Sequence, residues 1–154
     1  VSGPGLKPFW RYYGAKWRLA PHYPKPEHDT IVEPFAGAAG YSLRYPDRKV
    51  FLIERYAVIA AIWRYLIRAH PVEILKIPEV QNTDDLPSWV PEEARYLVGF
   101  WMNTACTGPR KQLSAGKIEG WTQATRERIA GQLSSIRHWK IAEADYAEAP
   151  DVRA

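Results

Sequence analysis

Two short apolar runs lie close together near the start of the chain: "TIVEPF" over 30–35 and "KVFLIE" over 49–54. Each is apolar on both faces, as in the strands of a covered parallel sheet. The stretch between them, "AGAAGYSLRYPDR", has room for a short helix and a turn, so residues 30–54 read as a βαβ unit. From Arg55 to Ala69 the period becomes helical. Val58, Ile62, Tyr65 and Ala69 share a stripe, Ile59 and Leu66 lie beside it, and Arg64 and Arg68 stand elsewhere on the surface. Pro71 is expected to close this helix, with a Pro-rich linker following through Pro78 and Pro87. A second helix is predicted over 91–103, with Pro91 at its first position and Glu92 and Glu93 at the positive end of its dipole. "TGPRKQLSAGK" reads as loop. A third helix is predicted over 122–138, with Ile129, Leu133 and Ile136 inward and Arg126, Arg128 and Arg137 largely outward. "WKIAEADY" then predicts a third strand ending at Asp145. This order of elements points to an α/β fold with a mainly parallel sheet. Three strands are few for such a sheet, and they leave an apolar edge unpaired.

Length and composition narrow the class. A chain of 154 residues, 46% hydrophobic and 25% charged, suffices for one domain with a real core. No run approaches the ~18 apolar residues of a membrane span, and the N-terminal stretch lacks the apolar core of a secretion signal. Cys106 is the one cysteine, which excludes an internal disulfide and fits a reducing compartment. The expected location is the cytoplasm, with no membrane partner. A net charge of +4 is compatible with a polyanionic partner and does not specify one. Val1 is not an initiator Met, and "EAPDVRA" looks like a turn leading into a further strand, so a longer product is expected.

The candidate chemistry centres on "VEPFAGAAG". In a parallel α/β sheet the loop leaving a strand's carboxyl end borders the ligand crevice. The small residues Ala36, Gly37, Ala38, Ala39 and Gly40 would let backbone amides approach a bound molecule closely. Glu54, at the end of the next strand about 20 residues on, stands where a carboxylate can accept both hydroxyls of a ribose. The plain alternative is that the small residues serve only helix–strand packing and Glu54 caps a strand. These residues alone leave both open, and G-x-G-x-x-G is missing. His22, His28, His70 and His138 show no metal-ligand spacing with one another or with Cys106. The many aromatic rings are expected in the core.

Upstream lies "FWRYYGAKWRLAP", and downstream an acid–aromatic pair in "EADYAEAP". Together with "VEPFAGAAG" and "LIER", these resemble, in order and over most of the chain, the Dam-like DNA adenine-N6 methyltransferases that use S-adenosylmethionine (SAM). Tyr12, Tyr13, Gly14, Ala15 and Lys16 match the family's Trp/Tyr-x-Gly-Gly-Lys run. Val32 to Ala38 match its Val-Glu-Pro-Phe-x-Gly-x-Gly run, with Ala39 where a Gly is usual. The resemblance implies a Rossmann-like SAM-dependent methyltransferase fold. Its core would be 1–70 and 139–154, and a helical DNA-recognition insert would cover 71–138. It implies that Tyr12, Gly14 and Lys16 border the methionine end of SAM, with Lys16 meeting the carboxylate. Glu33 and Pro34 would fix the corner, and Phe35, Ala36 and Gly37 would supply its wall. Glu54 would hold the ribose, Arg55 would flank the adenine, and Asp145 and Tyr146 would read its edge and face. In the insert, Arg110, Lys111 and Lys117 would meet phosphates of double-stranded DNA, while Asn103 or Gln112 would touch a base. The Arg usual after that helix is absent, since "MNT" occupies the place. For each loop residue a solvated surface position is the plain alternative.

Methylating an exocyclic amine requires the base to be swung out and its nitrogen aligned with the sulfonium. The family does this with an Asp-Pro-Pro-Tyr loop, and no such motif occurs in these 154 residues. No catalytic residue is therefore assigned. Three readings stand: part of an active DNA adenine methyltransferase, a non-catalytic SAM- or DNA-binding relative, and a nucleotide-dependent oxidoreductase built on the same corner. The first is favoured.

Overall fold

The apolar runs do form parallel strands. In the computed structural model, which describes residues 5–104, 106–116 and 119–148, β1 spans Thr30–Glu33, β2 Lys49–Glu54 and β3 Lys140–Glu143. They form a three-stranded sheet in the order β1-β2-β3. Ile31 lies opposite Val50, Leu52 opposite Ile141, and Glu54 opposite Glu143. All three carboxyl ends therefore lie on one edge of the sheet. The architecture is mixed α/β. Val32 is 38% exposed, so one face of β1 is not covered as its apolar sequence implies.

The expected helix between β1 and β2 shrinks to a single 3₁₀ turn, Ser42–Arg44. Gly37 and Ala39 both adopt positive φ, 47° and 53°, and left-handed residues interrupt a right-handed helix. Pro46 then keeps Tyr45 out of the helical region.

Helix α1, Ala57–Arg68, buries Ile59, Ile62, Trp63, Tyr65 and Leu66. Its inward face is centred one position away from the predicted stripe, with Trp63 at its middle and Val58 only half-buried. Pro71 does close α1, and it also opens α2, Pro71–Lys76, at the first helical position, where its missing N–H costs nothing. The predicted linker is thus largely structured. Ile74 and Ile77 are fully buried, a 3₁₀ turn covers Thr83–Asp85, and Arg95 holds the Val90 carbonyl at 3.1 Å.

Helix α3 spans Glu92–Phe100, with Pro91 as its N-cap and not its first residue. Helix α4, Gln123–Gln132, passes into a 3₁₀ turn over Leu133–Ile136. Ile129, Leu133 and Ile136 are fully buried as expected. Two of the three arginines read as outward bind helix ends instead. Arg126 donates to the Ile77 carbonyl at 2.7 Å, and Arg137 donates to those of Ile67 and Ala69. These are carbonyls that a helix terminus leaves without intrahelical partners. Arg128 reaches the Pro8 carbonyl at 3.3 Å, with its guanidinium 5.2 Å from the centre of the Trp101 ring.

One core joins both parts of the chain. Phe9, Leu43, Trp63, Ile74, Val98, Ile129 and Trp139 belong to the same apolar cluster. Trp63 is its aromatic hub, with ring centroids 5.7 Å from Phe9, 5.1 Å from Trp10 and 5.7 Å from Trp139. Among the described residues, no helix is long and apolar enough to cross a membrane.

Candidate functional site

The corner after β1 is held by hydrogen bonds from several directions. Ala36 N–H donates to the Ile53 carbonyl at 3.0 Å, tying the loop to β2. Ser42 N–H donates to Glu33 Oε2 at 3.0 Å. Gly37 donates through its N–H to Glu54 Oε2 at 2.9 Å, and its carbonyl accepts the Trp63 indole N–H at 2.7 Å. The other Glu54 oxygen accepts Tyr56 N–H at 2.9 Å. Glu54 is therefore a brace linking the corner to the start of α1. A carboxylate offers about four lone-pair directions, and these two amides leave the rest for another donor.

The Tyr12–Lys16 run, the first motif along the chain, packs onto this corner. A Cβ on Gly37 would meet the Tyr12 ring at 3.2 Å, and one on Gly40 would lie 2.3 Å from Trp17 N and 2.8 Å from the Lys16 carbonyl carbon. Only glycine at 40 lets the two backbones come this close. The structure thus brings together Tyr12, Lys16, Glu33, Ala36, Gly37 and Glu54 at the carboxyl edge of the sheet. Burial, the Glu54 charge and Tyr56 raise the Tyr12 pKa above its ordinary value. Gly14 (φ 77°) and Lys16 are exposed beside the corner.

The aromatic and charged rim lies just beyond. Phe35, next to exposed Pro34, is 75% exposed, and its ring centroid lies 5.0 Å from that of Tyr146, itself 56% exposed. Arg55 faces Asp145 at 3.9 Å. Strand β3 stops at Glu143, so Asp145 and Tyr146 belong to the following turn and not to the strand end predicted for them; Asp145 Oδ1 accepts Ala147 N–H at 3.0 Å. Trp63 and Tyr56 were not singled out by their sequence positions, although both touch the corner's hydrogen-bond frame. Trp63 lies on an ordinary helical stripe, and nothing in that spacing distinguishes it from core.

Glu33 carries a testable pH dependence. Burial raises its pKa above the ordinary 4.5, opposed by hydrogen bonds from Ser42 and Tyr41. The unfolded chain then releases this proton at lower pH than the folded chain does. Its contribution to stability is therefore fully present below 4.5 and falls as pH rises toward the folded-state value. Glu33→Gln is expected to gain stability relative to wild type between about pH 4 and about pH 7, measured by urea unfolding. A constant difference across that range would contradict the burial of this carboxyl.

The insert loop is pinned at both ends. Tyr13 N–H donates to the Cys106 carbonyl at 3.1 Å, Thr83 N–H to Lys111 O at 2.8 Å, and Leu113 N–H to Gln81 O at 2.7 Å. The Asn103 side-chain oxygen accepts Thr104 N–H at 2.7 Å, and the Gln112 side-chain oxygen accepts the Asn82 amide at 3.0 Å. Lys111 faces Asp84 at 3.3 Å. Arg110 is exposed and forms no ion pair among the described residues. Lys117 lies outside the described residues. The loop borders the corner's rim: Cys106 bridges to Tyr12, and a Cβ on Gly108 would lie 3.6 Å from the Tyr56 hydroxyl.

A cleft of about 500 Å³ borders the first motif at Tyr12 and Ala15. It does not include Gly37, Glu54 or Asp145. No family profile matches the chain, and comparison with curated proteins finds no match.

Proposed function

We propose that this chain is the cofactor-binding part of a SAM-dependent, Rossmann-like methyltransferase. Its reaction would transfer a methyl group to N6 of adenine in double-stranded DNA, in the cytoplasm. The observation that carries the reading is the assembly at the sheet's carboxyl edge. The Tyr12–Lys16 run lies against the Gly37–Gly40 backbone, and Glu54 stands beneath both with lone pairs to spare. The region outside the carboxyl ends of the strands is where an α/β sheet accepts a nucleoside.

The residues present fit SAM. Glu54 would accept the ribose hydroxyls on its free lone pairs. Lys16, exposed beside the corner, would meet the carboxylate. Phe35 and Tyr146 offer ring faces to an adenine, with Arg55 and Asp145 at its edge. Bound SAM supplies an electrophilic methyl group on its sulfonium. The chain's own residues orient the ligand and hold the corner closed around it. Ala15 and Ala39 stand where the resembled family has glycine; the Ala39 methyl is buried in the core, so its presence is compatible with SAM binding. Arg110, Lys111 and Lys117 would supply phosphate contacts, with Asn103 or Gln112 at a base. The group that aligns the adenine amine is not among these residues.

Parallel calorimetric titrations with SAM and with NAD test the reading. Saturable one-site binding of SAM with no heat from NAD is the expected result. NAD binding without SAM binding would transfer the corner to the oxidoreductase reading.

A further inference from the structure

The cleft bordering the first motif has a chemistry of its own. Its walls carry Lys7, Arg11, Arg18 and Arg128 together with Trp10 and Trp17, around a volume of about 500 Å³, within the range of small-molecule sites. Glu119 is the one acid among the described residues of the lining, and it is taken up by Arg11 at 2.9 Å. Among the described residues, Lys7 and Arg18 enter no ion pair. Behind these walls, Nε1 of Trp10, a residue only 1% exposed, and Nε of Arg128 are buried and have no hydrogen-bond partner among the described residues. A buried N–H left unpaired is costly, and native structures hold few of them. The cationic side chains on the walls favour an anionic group in the cleft. Trp17 is half-buried, with its indole N–H given to the Leu6 carbonyl at 2.8 Å. The Arg44 guanidinium lies over one ring face, 3.6 Å from the centroid, so the remaining exposed ring surface is apolar. An aromatic surface beside a cationic wall suits a flat base attached to a phosphate.

We propose that this cleft is a second ligand site, distinct from the corner, for a nucleoside phosphate. The phosphate is held by Lys7, Arg18 and Arg128, and the base lies against Trp17. The ligand is either a free nucleotide or one nucleotide unit of a single strand, since both present the same chemistry. The inference goes beyond the methyltransferase reading and does not depend on it.

Calorimetric titration with AMP, adenosine, inorganic phosphate and a single-stranded oligodeoxyadenylate tests it on the whole chain. AMP is expected to bind at one site, more tightly than adenosine or phosphate alone. Arg18→Glu, a change at an exposed side chain, should weaken AMP binding about tenfold or more while leaving SAM affinity unchanged. An oligonucleotide that displaces AMP identifies a strand as the source, and one that fails to compete identifies the free nucleotide; either result upholds the site. The proposal is overturned if neither AMP nor the oligonucleotide binds at millimolar concentration, or if phosphate matches AMP. It is equally overturned if AMP binding withstands both Arg18→Glu and Lys7→Glu, or is lost in Glu54→Ala instead, since AMP would then be occupying the corner.

Discussion

Gly40→Ala is expected to destabilise the protein by about 3 kcal/mol, the upper part of the range for overpacking a close contact, and to remove SAM binding with it. The added methyl carbon would fall 2.3 Å from Trp17 N and under 3 Å from two backbone atoms of Lys16. No flexible side-chain end is available to swing aside, so the backbone itself must move. The Lys16–Trp17 segment is held in place by Arg44, whose Nε and Nη2 donate to the Trp17 carbonyl at 3.0 and 2.7 Å. Ala20 N–H also bonds to the Lys16 carbonyl at 2.7 Å. The corner and the first motif would therefore be pushed apart, taking Lys16 away from its proposed place at the ligand. Thermal unfolding and SAM calorimetry on the same preparation check both halves. A variant that melts with wild type would show that the two segments are not in contact.

Glu54→Ala has the second large effect, this time on affinity. The substitution leaves the Gly37 and Tyr56 amides without their carboxylate and removes the proposed ribose acceptor. Losing a hydrogen bond to a charged group costs about 1.5–3 kcal/mol, or roughly 10- to 100-fold in SAM affinity. Glu54→Gln keeps one oxygen for a backbone amide or a hydroxyl, so it should fall between Ala and wild type. Glu127→Ala, on the exposed face of α4, should bind SAM as wild type does. If Glu54→Ala and Glu127→Ala bind SAM equally well, Glu54 is a strand cap and nothing more.

The strands were legible because Ile31, Val50, Leu52 and Ile53 form runs too short and too apolar for an amphipathic helix. The corner's position followed from its small residues. Its internal wiring did not, because Trp63 reaches Gly37 across 26 positions, and no local pattern encodes such a contact. The failed helix after the corner is similar. Alanines at 36, 38 and 39 favour helix by propensity, yet Ala39 at φ 53° accepts a strain of about 1–2 kcal/mol. Tertiary bonds from Glu33, Glu54 and Trp63 hold that backbone against the local preference. The resembled family's usual glycine at this place would carry no such strain. Arg126 and Arg128, both half-buried, misled for a related reason. Helical spacing tells which way a side chain leaves its helix, whereas a long guanidinium stem can turn back to a carbonyl on a neighbouring element. In the 71–90 stretch, prolines read as linker punctuation, but Pro71 opens a helix whose Ile74 enters the common core.

The central claim is that SAM binds at the carboxyl edge of the sheet. Amide chemical-shift mapping of the isotope-labelled chain during a SAM titration tests it most directly, because it reports location as well as affinity. The account predicts that Gly14, Lys16, Gly37, Glu54 and Tyr56 shift together and saturate at one equivalent. Shifts confined to Lys7, Arg18 and Arg128, or no saturable shifts at all, would contradict it.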